Sequence, residues 1–133
     1  MRRLAVPALT AAFATSALAM PPPLPDVANA SMAELQVRVE AGEASYESLA
    51  SAYIVRSREL DPKLRAIIAV NPNALTDARA ADLGFRADAA AADGRRGTPL
   101  FGMPILIKDN IETLDPMATT AGSLALAGNV TGR

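Results

Sequence analysis

The chain has 133 residues, half of them hydrophobic, with 13 basic and 14 acidic side chains and a formal charge of −1. This charge balance argues against a nucleic-acid partner, which would require a basic face. The absence of cysteine and histidine excludes disulfides, thiolate metal sites and a Ser-His-Asp triad within these residues.

The first residues have the three parts of an export signal. A positive start at Arg2 and Arg3 precedes an apolar run over residues 4–16, and an Ala-x-Ala cleavage site ends at Ala19. The run is short for a membrane span and a proline interrupts it, so a membrane anchor is the weaker alternative. We therefore predict a signal peptide over residues 1–19, export to the periplasm or out of the cell, and no stable membrane anchor after cleavage.

Helices are predicted after a proline-rich stretch, residues 20–30, which itself indicates an extended spacer. Ser31 and Glu34 have the capping-box spacing that starts a helix, and Gly42 is a suitable residue to end it. Ser45 starts a second helix, whose apolar residues recur at helical spacing. The predicted extents, caps included, are Ser31 to Gly42, Ser45 to Asp61-Pro62, and about Asn73 to Ala92.

Two apolar runs predict β-strands. Leu64 to Val70 is rich in β-branched residues and indicates a buried strand, and Pro104 to Lys108 indicates a second one. A strand, a helix and a strand in this order suggest a βαβ unit. Two strands do not close a sheet, so we expect residues 31–133 to be the opening portion of a larger enzyme domain.

Lys108 is the residue that points most directly to chemistry. A lysine at the end of a buried strand, on the same face as Leu106, loses water, and desolvation favours the neutral amine, which is a base. Asp109 and Asn110 follow in a predicted turn, where they could orient the amine or shape the strand end. The alternative is a solvated lysine paired with Asp109 or Glu112.

Residues around Lys108 form two blocks, G-x-P-L-x-G-x-P-x-x-x-K-D-N and T-T-A-G-S. The positions concerned are Gly97, Pro99, Leu100, Gly102, Pro104, Lys108, Asp109, Asn110, Thr119, Thr120, Ala121, Gly122 and Ser123. In these residues the chain resembles the amidase signature family, and the resemblance extends over about residues 31–127. It implies an α/β fold, the amino-terminal part of an α/β/α domain with a mixed sheet, incomplete in this chain.

The resemblance also implies a reaction. Members of the family hydrolyse amides with a serine–serine–lysine triad, in which Lys108 would be the base. Asp109, Asn110 and Ser123 would support it, Ser123 alternatively as a helix cap. The scheme needs no metal and no cofactor, and its partner is a small-molecule amide substrate. The family's two serines lie downstream of the T-T-A-G-S block, so we expect these 133 residues to be inactive alone.

Two other functions remain open. The chain could belong to the amidotransferase subunit that transfers ammonia on glutamyl-tRNA, which shares the motifs, although an export signal disagrees with that cytosolic role. It could also be a secreted, non-catalytic binding module that kept the scaffold. The substrate and the oligomeric state do not follow from the sequence.

Overall fold

The computed structural model describes residues 24–90 and 100–130, with only the backbone described for residues 88–90. The predicted signal peptide and the first residues of the predicted spacer lie outside this part of the chain, as do the predicted end of the third helix, Gly97 and Pro99. Within the spacer, Val27 is buried against the helices and the carbonyl of Asp26 accepts a hydrogen bond from Arg38 at 3.0 Å. The end of the spacer is therefore packed onto the folded part.

Three helices form the described core, and the starts of the first two confirm the predicted caps. Ser31 caps the first helix with the reciprocal Ser31–Glu34 capping box, and Gly42 follows the helix end with a φ of +75°. Ser45 caps the second helix. None of the described helices is long and apolar enough to cross a membrane. The helices are α1 (Met32–Glu40), α2 (Tyr46–Leu64) and α3 (Ala74–Ala90).

The predicted end of α2 at Asp61-Pro62 is wrong, because the helix continues through Pro62 to Leu64. Pro62 lies in the last turn, where it removes one backbone donor but does not stop the chain from following the helix. Asp61 stabilises this end. Its carbonyl accepts from the Arg65 amide at 2.8 Å, and its carboxylate accepts from the next two amides at 2.7 and 2.9 Å.

The core lies where α2 packs against α3. Leu49 is fully buried, and Tyr46 is 4% exposed. The rings of Phe85 and Phe101 meet the Tyr46 ring edge to face, with centroids 5.8 and 5.7 Å away. Phe101 belongs to the turn over residues 100–103, which precedes Lys108. This aromatic cluster therefore anchors the segment that leads to Lys108 to the helices.

The two predicted strands do not form among the described residues. Residues 65–70 and 104–108 form neither a helix nor a paired strand. In the described part of the chain, no backbone hydrogen bond joins the two segments. Ile68 is 72% exposed and Leu106 is 82% exposed. A strand requires a neighbour for its backbone groups, and no described segment supplies one. The predicted mixed sheet is therefore not seen here.

The last described residues form a short turn structure. An isolated antiparallel bridge joins Ala118 to Val130, and Leu124–Leu126 forms one turn of 3-10 helix between them. Residues 121–122 form a turn just before this 3-10 helix. It also returns the chain to the neighbourhood of Lys108.

Candidate functional site

An open cleft lies between residues 66–69 and residues 106–111. It has a volume of about 670 Å³. Lys108, Asp109 and Asn110 line it, opposite residues 66–69, and residues 117–119 and 121–122 complete the wall. The structure thus brings the K-D-N and T-T-A-G-S blocks together at one cavity, of a size suited to a small-molecule ligand.

Lys108 is exposed at this cleft, contrary to the expectation of a dry amine. Leu106 lines the same cleft but is 82% exposed, so it does not shield the Lys108 amine from water as expected. The alternative of an ion pair is not seen either. Among the described residues, neither Asp109 nor Glu112 approaches Lys108 as a salt-bridge partner. The Lys108 carbonyl accepts a hydrogen bond from the Ile111 amide at 2.9 Å, which makes the tight turn predicted after the lysine.

Asp109 is the best-connected residue of the site. Its carboxylate accepts hydrogen bonds from the Thr120 amide at 2.9 Å, the Thr120 hydroxyl and the Gly122 amide at 3.3 Å. Its carbonyl accepts from the Ala121 amide at 3.1 Å. Donation by the Thr120 hydroxyl and amide lowers the pKa of Asp109, because these bonds favour the ionised form.

The segment that carries these donors has its own constraints. Ala121 and Gly122 both have positive φ angles, +48° and +79°. The Thr119 amide donates to the Asn129 carbonyl at 2.9 Å, and the Asn129 side chain donates back to the Thr119 carbonyl at 3.2 Å. The left-handed backbone at 121–122 turns successive amides toward Asp109.

Ser123 and Asn110 take lesser positions. Ser123 occupies the cap position of the 3-10 helix, but its side chain makes no capping hydrogen bond. It is half-buried and does not line the cleft. Asn110 is exposed and lines the cleft beside Lys108. The structure therefore groups Lys108, Asp109 and Asn110, with Ser123 one residue beyond the wall.

Thr120 is a contact residue that the sequence did not identify as part of the site. It appeared only as a member of the T-T-A-G-S block. Its bond to Asp109 spans 11 positions, and no periodicity links residues at that separation across a turn. A threonine before a small, turn-forming Ala-Gly pair was the available signal.

No group of three metal-ligating side chains stands together among residues 24–90 and 100–130.

Comparison with known proteins gives a consistent result. A family model described as Amidase matches residues 48–132. A glutamyl-tRNA(Gln) amidotransferase subunit of Thermus thermophilus is 39% identical over 93 residues, covering 70% of this chain and 17% of that protein. The chain spans only 15% to 20% of the length of five curated relatives that it matches.

Solved structures show the same similarity in three dimensions. The peptide amidase of Stenotrophomonas maltophilia is 47% identical with a TM-score of 0.67, over 80% of this chain and 21% of that one. An amidase family protein of Bacillus anthracis is 36% identical with a TM-score of 0.65, over 75% of this chain and 19% of that one. These values establish a shared fold for the matched part.

Proposed function

The chain belongs to the amidase family, and from that premise we propose that it contributes the base, Lys108, to a hydrolase of amide carbon–nitrogen bonds. The observation that carries the proposal is the position of Lys108 on the cleft, within the matched residues and without a carboxylate partner among the described ones. An amine that no neighbouring carboxylate holds is available to a serine hydroxyl.

The proposed reaction is acyl transfer to serine. In the proposed scheme the amine of Lys108 takes a proton from a bridging serine, which takes one from the nucleophilic serine. That serine oxygen bonds to the amide carbon, the carbon–nitrogen bond breaks, and the departing nitrogen receives the proton. Water then releases the acid from the acyl-enzyme. Backbone amides next to the nucleophile stabilise the developing oxyanion.

The described serines are poor candidates for the nucleophile. Ser31 and Ser45 are engaged as helix caps, and Ser48 completes the second capping box. The other two helical serines, at positions 51 and 57, lie within α2, away from the cleft. Ser123 does not line the cleft. We therefore propose that other residues of a complete enzyme supply both serines, and that residues 1–133 alone do not hydrolyse amides.

Peptide amides are the proposed substrate class. The support is the 47% identity to a protein described as a peptide amidase, higher than the 39% to the amidotransferase subunit. The predicted signal peptide supports an exported enzyme and disagrees with work on glutamyl-tRNA, which is cytosolic. Export, the absence of a stable membrane anchor and a nucleic-acid-free function are part of the same proposal.

A chimaera tests the role of Lys108. Residues 48–132 replace the matching part of the Stenotrophomonas maltophilia peptide amidase, and ammonia release from an amidated dipeptide is measured. We expect the chimaera to be active and Lys108→Met to lower kcat at least about 100-fold, the usual contribution of a general base. Lys63→Met is the matched control, because Lys63 is the other lysine of the sequence and lies exposed on α2.

The outcomes separate the candidate functions. Equal activity of the Lys108→Met and unmodified chimaeras would refute the proposed role of Lys108 as the base. An inactive but folded chimaera that still binds the amidated dipeptide would favour the binding module. Hydrolysis by the 133-residue chain alone would contradict the proposal that both serines lie elsewhere.

A further inference from the structure

The carboxylate of Asp109, the residue next to Lys108, is held by hydrogen bonds from the loop over residues 120–122. Asp109 accepts hydrogen bonds from residues 120–122, through its carboxylate and its carbonyl. The donors are two amides and one hydroxyl on the carboxylate, and one amide on the carbonyl. A short loop held at four points has little freedom to shift relative to its neighbour.

Thr120 is the centre of this contact. Its amide and hydroxyl both donate to Asp109, and the same hydroxyl accepts from the Gly122 amide at 3.2 Å. Thr120 itself does not line the cleft, whereas Asp109 and Gly122 do. Any effect of its hydroxyl on the cleft must therefore pass through those two residues.

We propose that Asp109 and Thr120 form a clasp that positions Lys108 against the 118–123 loop, leaving its amine free. The clasp satisfies the Asp109 carboxylate with neutral donors, so that the charge beside Lys108 does not bind the lysine. Asp109 and Thr120 are positioning residues, since neither contacts substrate in this scheme. The consequence for catalysis rests on the proposed function, whereas the clasp itself does not.

Nuclear magnetic resonance of the 133-residue chain tests the clasp without any activity. Labelled lysine gives two side-chain signals, one from Lys108 and one from Lys63. Thr120→Val removes the hydroxyl, and we expect the Lys108 signal to shift while the Lys63 signal stays in place. Thr120→Ser keeps the hydroxyl and should restore the Lys108 signal.

Thr76→Val is the control. Thr76 is exposed on α3 and does not line the cleft. Its replacement should leave the Lys108 signal unchanged. An unmoved Lys108 signal in Thr120→Val, or an equal shift in Thr76→Val, would overturn the clasp. The amide signals of α2 show whether each variant is folded.

The pH dependence gives a second readout. The pKa of Asp109 lies below its ordinary value of about 3.9 because the donors favour the carboxylate. The clasp is therefore complete above that pH and is lost as the pH falls through the folded pKa. The Thr120 amide shift should follow this titration. In the Thr120→Val variant the chemical shift of the backbone amide at position 120 should change with pH around a higher midpoint, because Asp109 has lost one donor. An unchanged midpoint would count against the hydrogen bond from the Thr120 hydroxyl.

Catalysis is read separately in the chimaera. Thr120→Val should lower kcat about 10-fold or more with little change in KM, and Thr120→Ser should recover most of the loss, because a misplaced base slows the chemical step. If the resonance experiments succeed while Lys108→Met leaves the chimaera active, the clasp stands and the proposed function fails. If the resonance experiments fail while Lys108→Met inactivates the chimaera, the proposed function stands and the clasp fails.

Discussion

Gly102 is a single residue on which the link between the core and the cleft depends. It is the third residue of the turn over 100–103, with a φ of +67°, and the Met103 amide closes the turn on the Leu100 carbonyl at 3.1 Å. A Cβ built at Gly102 would lie 2.6 Å from the Tyr46 ring. The position therefore needs glycine for its backbone and for the space.

We expect Gly102→Ala to destabilise the chain more than Gly42→Ala. Both glycines have positive φ, which costs alanine about 1–2 kcal/mol, but a Cβ at Gly42 meets nothing within 4 Å. The clash with buried Tyr46 should add about 1–3 kcal/mol at Gly102. Urea unfolding followed by circular dichroism measures both variants, and equal losses would contradict the steric argument.

At the scale of the element, the start of α2 is held by α3. The amides of Tyr46 and Glu47 donate to the carboxylate of Asp82 at 2.8 and 3.1 Å, and Ser45 accepts from the Ser48 amide. These are the backbone donors that a helix leaves unpaired at its first turn. A negative charge there also interacts favourably with the helix dipole. Asp82 thus caps one helix from the side of another.

Asp82→Asn should lower the free energy of unfolding by about 1 kcal/mol, because it removes the charge and one of the two acceptor oxygens. Arg79→Ala is the control on the same helix. Arg79 forms an ion pair with Glu47 at 2.7 Å, but the Arg79 side chain is 59% exposed and the Glu47 side chain 38% exposed, so solvent weakens the pair and its loss should have little effect. Thermal unfolding at neutral pH measures both, and a larger loss for Arg79→Ala would reverse the argument.

At the scale of the whole molecule, the apolar segments beside the cleft are largely uncovered in the part of the chain that the structure describes. Ile105 is 61% exposed and Leu106 is 82% exposed, and Ile68 faces the same cleft. Exposed apolar surface of this kind normally marks a site of contact with other protein. The helical core and the cleft segments therefore differ sharply in how well they are packed.

This surface should make the 133-residue chain associate with itself as its concentration rises. Replacing Ile105 and Leu106 with serine should lower that association, because apolar burial is its driving force. Leu83→Ser is the control, since Leu83 is 68% exposed but lies on α3. Sedimentation velocity across a concentration series distinguishes the variants. A chain that stays monomeric throughout, or an equal effect of Leu83→Ser, would show that these segments do not associate.

The sequence alone predicted the starts of α1 and α2 and the two motif blocks that meet at the cleft. The caps at Ser31 and Ser45 depend on side chains within four positions of each other, so local pattern identifies them. The K-D-N and T-T-A-G-S blocks were likewise recognisable as motifs, and the family they resemble is the one the chain belongs to. Local interactions and motif spacing are written directly in the residue order.

Only the tertiary structure decided what surrounds those residues. The Asp109–Thr120 bonds, the Asp82 cap and the exposure of Lys108 all depend on which segments meet across a distance in the chain. The two predicted strands are not seen in the described residues for the same reason, since an apolar run becomes a strand only when a neighbouring backbone pairs with it. Whether a segment is paired and buried depends on the other segments that pack against it, and its own residues do not specify these.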